Sequence, residues 1–381
     1  MPRVTRLVLT DFRNYAALTW RPVSRVSVLY GPNGSGKTNL LEALSLLVPG
    51  RGLRTARNAD LPRQGSTGAW AVAARLATAA GETEIGTGTP PGGTDDRRVF
   101  RLDGATPRSQ AEVARRLSAV WLTPRMDRLF QEGLSGRRRF LDRLVWAMEP
   151  GHAREMAAHD TAVANRNRLL SEGRHDKAWL AAVEDAIARH AVAATAARMA
   201  LVNRLNDQAT FGFPPAHIAL DCPIAERLVG QPALAVEDWL RAELEAGRGR
   251  DAGAGVTGLG AHRTDMRLTD ALTGLAAGLA STGQQKALLI GVILSHAGLI
   301  ATVRDMPPLL LLDEPAVHLD TDRRQALWDA LAASSAQTVV TGTDADTFLP
   351  LRDQADAYRT GDGALQPDMR FRGEVPVPEA P

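Results

Sequence analysis

The sequence predicts an α/β fold: a head built around a glycine-rich loop, with a strand-rich lobe and an inserted helical arm. Three observations predict it. The octapeptide GPNGSGKT at residues 31–38 lies between a β-like run and a stretch of helical periodicity. The wholly apolar run Leu309–Leu312 ends in Asp313 and Glu314, as a buried strand carrying carboxylates at its C-terminal end would. Between these segments, from Arg137 to about Thr210, the apolar spacing turns helical.

Taken in order, Val4 to Leu9 and Val26 to Tyr30 are β-branched and apolar clusters between turn formers, hence strands, and the second runs straight into Gly31. After Thr38, the residues Leu40, Leu41, Leu44 and Leu47 fall at helical spacing. Residues 69–103 alternate short β-like runs with TGTPPGG at 87–93, a sheet with an exposed loop. In the helical region Phe140, Leu141, Leu144, Val145 and Met148 form one stripe. Leu180, Val183, Ile187, Ala191, Ala194, Leu201 and Leu205 form another, so two or more antiparallel helices are expected. An extended stretch from Ile218 to Leu220 precedes DAGAGVTGLGAH at 251–262, which reads as a flexible loop. A helix from about Gly283 to Ile300, the Leu309–Leu312 strand, a helix near Arg323 to Ala333 and a strand from Thr338 to Thr341 complete the α/β half. The expected division is a head N-terminal lobe at 1–136, a helical arm at 137–210, a head C-terminal lobe at 211–373 and a disordered, proline-containing tail at 374–381.

With 381 residues, 44% of them hydrophobic and 23% charged, the chain suits one composite domain or two and has a soluble globular composition. A net charge of +2 provides no global field to attract nucleic acid, so local clusters decide. One cluster exists: the first 60 residues carry nine basic side chains against three acidic ones, although a merely solvated basic surface would look the same. Cys222 is the only cysteine, which excludes an internal disulfide and thiolate metal clusters and fits a reducing, cytoplasmic home. Asp11 and Arg13 stand where a signal peptide would need an apolar run. The longest apolar stretch, Leu288 to Ile300, falls short of the about 20 residues that span a bilayer, so no membrane association is expected.

GPNGSGKT has every fixed position of the P-loop pattern. Along Gly31, Pro32, Asn33, Gly34, Ser35 and Gly36 the backbone can curl its N–H groups around phosphate oxygens at a helix N-terminus, with Asn39 just beyond. Lys37 places a point charge on the β and γ phosphates, and the Thr38 hydroxyl ligates magnesium. The cofactors expected are therefore ATP and Mg2+. Asp313 would hold the metal, and Glu314 would polarise the water that attacks the γ phosphate, making Lys37 and Glu314 the catalytic pair. A strand that simply ends in an acidic turn is the alternative. ASTGQQKALL at 280–289 opens an apolar helix with Ser-x-Gly-Gln, which by itself is equally a helix N-cap by Ser281 or Thr282. Lysine occurs only at 37, 177 and 286 in a chain that otherwise uses arginine. The compact ammonium explains Lys37; nothing in the sequence explains Lys286.

The order P-loop, long insertion, Ser-x-Gly-Gln, Asp-Glu, then AVHLD at 316–320 resembles the ABC-type ATPases, in which the signature segment completes the nucleotide site of the opposite subunit. RLVLTDFRNY at 6–15 resembles the start of their chromosome-maintenance (SMC) and Rad50-like branch. Within that branch the chain is similar to the RecF family of bacterial recombinational repair ATPases. The similarity is carried by DFRNY, LLEALSLL, GRGLRTARNADL at 50–61, TPRMDRLF, GRRRFLDRLV, GAHRTDMRL at 260–268, STGQQKALL and LLLDEPAVHLD, and it covers nearly the whole chain.

That resemblance implies a weak ATPase that dimerises with ATP and acts in DNA repair, replication restart and the SOS response. Its partners would be single- and double-stranded DNA at gaps, RecR and RecO, with which it would help load RecA; slow hydrolysis would reset it. By the same resemblance Arg13 would lie near the nucleotide, Ser281, Gly283 and Gln284 would reach the γ phosphate of the second copy, and Asp320 would sit at the dimer seam. For DNA contact the expected residues are Arg51, Arg54 and Arg57, after the P-loop helix, and Arg137, Arg138 and Arg139, at the arm base. Phosphate contacts of this kind give affinity without reading base sequence. Two positions of the cassette pattern are unfilled: Gln110 and Gln131 both fit poorly as the glutamine near magnesium, and TVVTGTDAD offers Thr343 and Asp344 where a transporter has histidine. His262 and Arg263 lie in a family-like HRTD, as site residues or as loop residues bonded to backbone. The other functional class considered is the ATPase subunit of a membrane transporter, which the arm, the arginine-rich flanks and the DFRNY start disfavour. A Rad50-like zinc-hook tether would need a longer coiled coil and a Cys-x-x-Cys pair.

Overall fold

The computed structural model describes residues 2–66, 68–78, 81–90, 97–173, 176–208 and 211–371. The expected tail at 374–381 and the end of the 87–93 loop lie outside them. The chain forms two compact units, one from Met1–Asp127, Ala209–Pro215 and Ser281–Pro381, the other from Arg128–Gln208 and Ala216–Ala280.

The first unit contains two sheets. Strands β1 (Arg3–Phe12) and β2 (Tyr15–Trp20), with β3 (Val26–Tyr30) leaving for the other sheet, are followed by helix α1 (Lys37–Ser45) and strands β4 (Ala71–Thr78), β5 (Gly81–Gly88) and β6 (Val99–Leu102). Order β2-β1-β4-β5-β6 makes an antiparallel sheet with one buried face, which is why Val72, Ala74 and Leu76 of β4 point inward while Arg75 points out. Helix α2 (Gln110–Arg116), capped by Ser109, leads to β7 (Ala119–Leu122).

After the second unit, the chain supplies α9 (Thr282–Arg304), β10 (Leu309–Leu312), α10 (Thr321–Ala333), β11 (Gln337–Gly342), β12 (Ala355–Gly361) and β13 (Ala364–Pro367). These strands, with β3 and β7, form a sheet of order β13-β12-β3-β11-β10-β7, parallel except for the β12–β13 hairpin. A parallel sheet is covered on both faces, which suits the wholly apolar strands β7 and β10, all four residues of each being buried. Leu40, Leu41 and Leu44 of α1 share one core with Leu7, Leu9 and Val72 of the antiparallel sheet and Leu29, Leu311 and Val339 of the parallel one. The order places the end of β11 between the P-loop strand β3 and the strand β10, which runs into Asp313. Ligands bind at this edge in parallel α/β sheets.

In the second unit α3 (Leu134–Met148), α4 (His152–Ser171) and α5 (Lys177–Asn206) are followed by β8 (Ala216–Asp221), α6 (Pro223–Leu228), α7 (Ala233–Ala246), α8 (Arg248–Ala254) and β9 (Asp265–Asp270). The division differs from the expected one, because residues 216–280, assigned from sequence to the C-terminal lobe, pack with the helices of the expected arm. The reason is the apolar face of α6 and α7: Ile224, Val236 and Leu240 share a core with Ile187, Ala191 and Ala194 of α5. The expected flexible loop at 251–262 begins inside α8, whose Asp251 is buried and paired with Arg166. Arg166 is itself fully buried and donates to Glu184, Asp251, Thr257 and the Leu244 carbonyl, which offsets the cost of burying its charge.

Helix α9 (Thr282–Arg304) belongs to the first unit, as does α10 (Thr321–Ala333). At 23 residues α9 outruns the apolar stretch read from sequence and is long and apolar enough to cross a membrane. However, 78% of its most apolar window is buried inside the fold, so its hydropathy is that of a core helix.

Candidate functional site

The loop between β3 and α1 holds its shape through backbone that only glycine tolerates. Gly31, Gly34 and Gly36 have φ of +148°, +83° and +105°. A Cβ on Gly31 would stand 2.7 Å from the Thr360 carbonyl oxygen, and one on Gly36 would stand 2.5 Å from Asn14 Nδ2. The loop is braced from outside: Ser35 Oγ and Thr360 Oγ1 are 2.6 Å apart, and Tyr15 donates its hydroxyl to the Gly36 carbonyl at 3.1 Å. Among the described residues no side chain caps α1, so its first N–H groups are open to an anion. Lys37 is buried at that mouth, donating from Nζ to the Gly31 and Pro32 carbonyls at 2.7 and 3.0 Å. Burial lowers its pKa, while the Glu314 and Asp313 carboxylates oppose that shift.

Across the sheet edge Asp313 receives the Thr38 hydroxyl, 3.0 Å from each carboxylate oxygen. Thr341, fully buried at the end of β11, donates to Asp313 Oδ1 at 2.8 Å and accepts the Glu314 N–H at 2.9 Å. One hydroxyl thus fixes the metal-type carboxylate and the backbone of the expected base. Sequence reading assigned no role to Thr341, noting only Thr343 and Asp344 where a transporter has histidine. Thr38 and Asp313 present hard oxygen donors side by side, the set that magnesium prefers. Glu314 adopts φ +51°, a left-handed conformation that costs a non-glycine residue about 1–2 kcal/mol.

The signature segment lies at the start of α9. Ser281 is its N-cap, accepting the Gln284 N–H at 3.3 Å while Gln284 Oε1 accepts the Ser281 N–H at 2.9 Å, a complete capping box. Ser281, Thr282 and Gln284 are nonetheless exposed. Gly283 faces the 313–320 segment, where a Cβ would come within 2.8 Å of the His318 carbonyl oxygen. Asp320 caps α10 through the Arg323 N–H at 2.8 Å. Lys286 is buried and donates to the Glu314 carbonyl at 2.9 Å and to Asp127 Oδ2 at 3.4 Å.

Arg13, expected near nucleotide, grips Glu42 of α1 with Nε and Nη2, both at 2.8 Å, and reaches the Asp60 carbonyl with Nη1. Arg54 shares Glu42 and donates to Asn39 Oδ1 at 2.6 Å, and Asn39 in turn donates to Asn14. Of the other arginines considered for DNA, Arg51 is exposed and Arg57, also exposed, pairs with Asp60. In the second unit Arg137 forks onto Asp265 at 2.7 and 2.9 Å, Arg138 donates to the His262 carbonyl, and Arg139 is exposed. Arg137 and Arg138 thus hold the HRTD segment, to which Arg198 adds bonds at the Ala261 carbonyl and Thr264. His262 and Arg263 both donate to the Thr257 carbonyl. Burial pushes the His262 imidazole down to about 4 against that hydrogen bond, with His159, Arg263 and Arg138 adding to the depression.

Residues 3–363 match the family model described as RecF/RecN/SMC N terminal domain. A protein of Mesorhizobium japonicum named DNA replication and repair protein RecF is 44% identical over 371 residues, covering 96% of this chain and 97% of that one. A protein of the same name from Allorhizobium ampelinum is 44% identical over 369 residues, covering 95% and 98%. A solved structure described as the recombination mediator protein RecF-ATPrS in the RecFOR pathway superposes with a TM-score of 0.82 at 21% identity, over 96% of this chain and 98% of that one, a likeness of fold.

Proposed function

The chain belongs to the RecF family, within the RecF/RecN/SMC N-terminal domain group, and from that membership we propose that it is an ATP-gated DNA clamp of recombinational repair and replication restart. It binds ATP with magnesium at residues 31–39 and dimerises in that state, so that Ser281, Gly283 and Gln284 of one copy complete the site of the other. It engages DNA at gaps and single/double-strand junctions in the cytoplasm, works with RecR and RecO to load RecA, and hydrolyses ATP slowly to reset.

The observation that carries this reading is the Thr38–Asp313–Thr341–Glu314 chain of hydrogen bonds beside a glycine cradle, in a chain whose signature side chains face solvent. The cradle N–H groups and the Lys37 ammonium bind and orient the phosphates. Magnesium, when bound with ATP, supplies neutralisation of phosphate charge. Glu314, its backbone N–H fixed by Thr341, accepts the proton of the attacking water. Exposed signature residues give a single copy half of each site, which makes ATP the glue of a dimer.

Sedimentation with and without ATP, repeated with gapped and with blunt duplex DNA, tests the proposal. Wild-type protein should dimerise with ATP and prefer the gapped duplex, and Lys37→Ala should remain monomeric. A wild-type chain that stays monomeric with ATP, or a Lys37→Ala chain that dimerises equally well, would refute it.

A further inference from the structure

Glu314 is held at both of its peptide groups. Its N–H goes to Thr341, and its carbonyl receives Lys286 Nζ at 2.9 Å from the second turn of α9. Left-handed backbone at a non-glycine residue persists only where the surroundings over-determine it, and Glu314, at φ +51°, is such a residue. His318, at φ +66°, is a second one four residues on, and its carbonyl oxygen lies against Gly283, one turn before Lys286. The first two turns of α9 therefore meet the segment after Asp313 at two carbonyls, one beside each left-handed residue. Lys286 itself is almost completely buried, and its other partner, Asp127, lies just after β7.

We propose that Lys286 is a positioning residue for Glu314: it fixes the carbonyl, hence the left-handed backbone, and hence the direction of the carboxylate. This rests on the reading of Glu314 as the base. The consequence is that one helix serves two nucleotide sites. Its N-terminal Ser281 to Gln284 face the second copy, while its second turn sets the base in its own copy. A shift of α9 when the dimer closes is transmitted to Glu314 through Lys286 over one hydrogen bond.

The competing role is plain neutralisation of buried Asp127, and the test separates the two. ATPase kcat and KM, thermal stability and ATP-dependent dimerisation are measured for wild type, Lys286→Met, Lys286→Arg and the double variant Lys286→Met with Asp127→Asn. Lys286→Met should lower kcat by roughly tenfold or more, as expected for a misplaced catalytic group, with KM and dimerisation little changed. The double variant leaves no lone buried charge, so it should regain thermal stability and keep the low kcat; it carries the comparison even if Lys286→Met alone fails to fold. Lys286→Arg, which retains a cation for the carbonyl, should recover part of kcat. A Lys286→Met rate equal to wild type, or a kcat that returns with stability in the double variant, overturns the inference. Absence of ATP hydrolysis by wild type instead overturns the reading of Glu314 on which it rests.

Discussion

Replacing Thr341 with valine removes one hydroxyl from a fully buried position and leaves the side chain's shape almost unchanged. Two groups lose their partner. The Glu314 N–H is left without its acceptor, and Asp313 Oδ1 loses a donor while keeping the Thr38 hydroxyl. An unsatisfied buried N–H costs about 1–3 kcal/mol, and a hydrogen bond to a charged acceptor contributes about 1.5–3 kcal/mol. The two losses share one hydroxyl and do not add fully, so the expected destabilisation is about 2–4 kcal/mol. Urea denaturation of wild type, Thr341→Val and Thr341→Ser measures it, with an unchanged m-value showing that the denatured state is not the cause. Serine keeps the hydroxyl and should lose less than half as much. In the same samples ATP hydrolysis by Thr341→Val should fall at least tenfold, because both the Asp313 carboxylate and Glu314, the proposed base, are loosened. A valine variant within about 0.5 kcal/mol of wild type, the range of an ordinary surface substitution, would show that Thr341 does not hold this edge together.

The His262 imidazole titrates near 4 in the fold against 6.5 unfolded, so only the unfolded chain takes up a proton between those values. Stability is therefore complete above pH 6.5 and falls with acidification, by roughly 2 kcal/mol at pH 5; His262→Gln should flatten that part of a urea-midpoint profile, and an unaltered slope would refute the assignment. Arg139→Ala should weaken binding to gapped DNA and reduce its salt dependence without loss of stability, whereas Arg137→Ala, which leaves Asp265 with the Met266 N–H but without its forked cation, should chiefly lower the thermal midpoint. The opposite pairing of effects would show that Arg137 is the DNA contact. Gly36→Ala should abolish ATP binding in equilibrium dialysis, since its Cβ would collide with Asn14 and Tyr15; wild-type affinity would mean that the loop yields easily.

What was legible in the sequence was local. The strand Val26–Tyr30, the glycine loop, α1 and Leu309–Leu312 with its two acids are each specified within a dozen residues by period and turn chemistry, and the structure has them at those positions. What escaped depends on partners far along the chain. Strand β7 is four residues long, too short for periodicity to register, and only its pairing with β10 makes it a strand. Residues 216–280 carry apolar faces that fit α5, but a face does not say which core it enters. Arg137 and Arg138 read as a surface charge run because Asp265 and the His262 carbonyl lie more than a hundred positions away. Ser281 to Gln284 is a different case, since Ser-x-x-Gln is also a capping box. The cap is present in the structure, and the segment remains exposed, so both readings of those residues coexist.

Lys37 and Lys286 meet acceptors different from those of the forked arginines. Arg13, Arg137, Arg198 and Arg248 each grip one carboxylate through Nε and Nη2, with Glu42, Asp265, Asp142 and Glu184 as the partners. A planar fork matches two carboxylate oxygens, and an ammonium cannot reproduce that pair of parallel bonds. At Lys37 and Lys286 the main acceptors are single backbone carbonyls, those of Gly31 and Pro32 for one and of Glu314 for the other, approached from buried positions where a compact, rotatable donor fits. The choice has a consequence for Arg13. Its two parallel bonds to a fully buried glutamate tie the DFRNY turn to α1, the helix that starts at the cradle, so any contact of Arg13 with nucleotide requires part of that fork to open. Arg13 is therefore better placed to hold the cradle's helix in register than to neutralise phosphate.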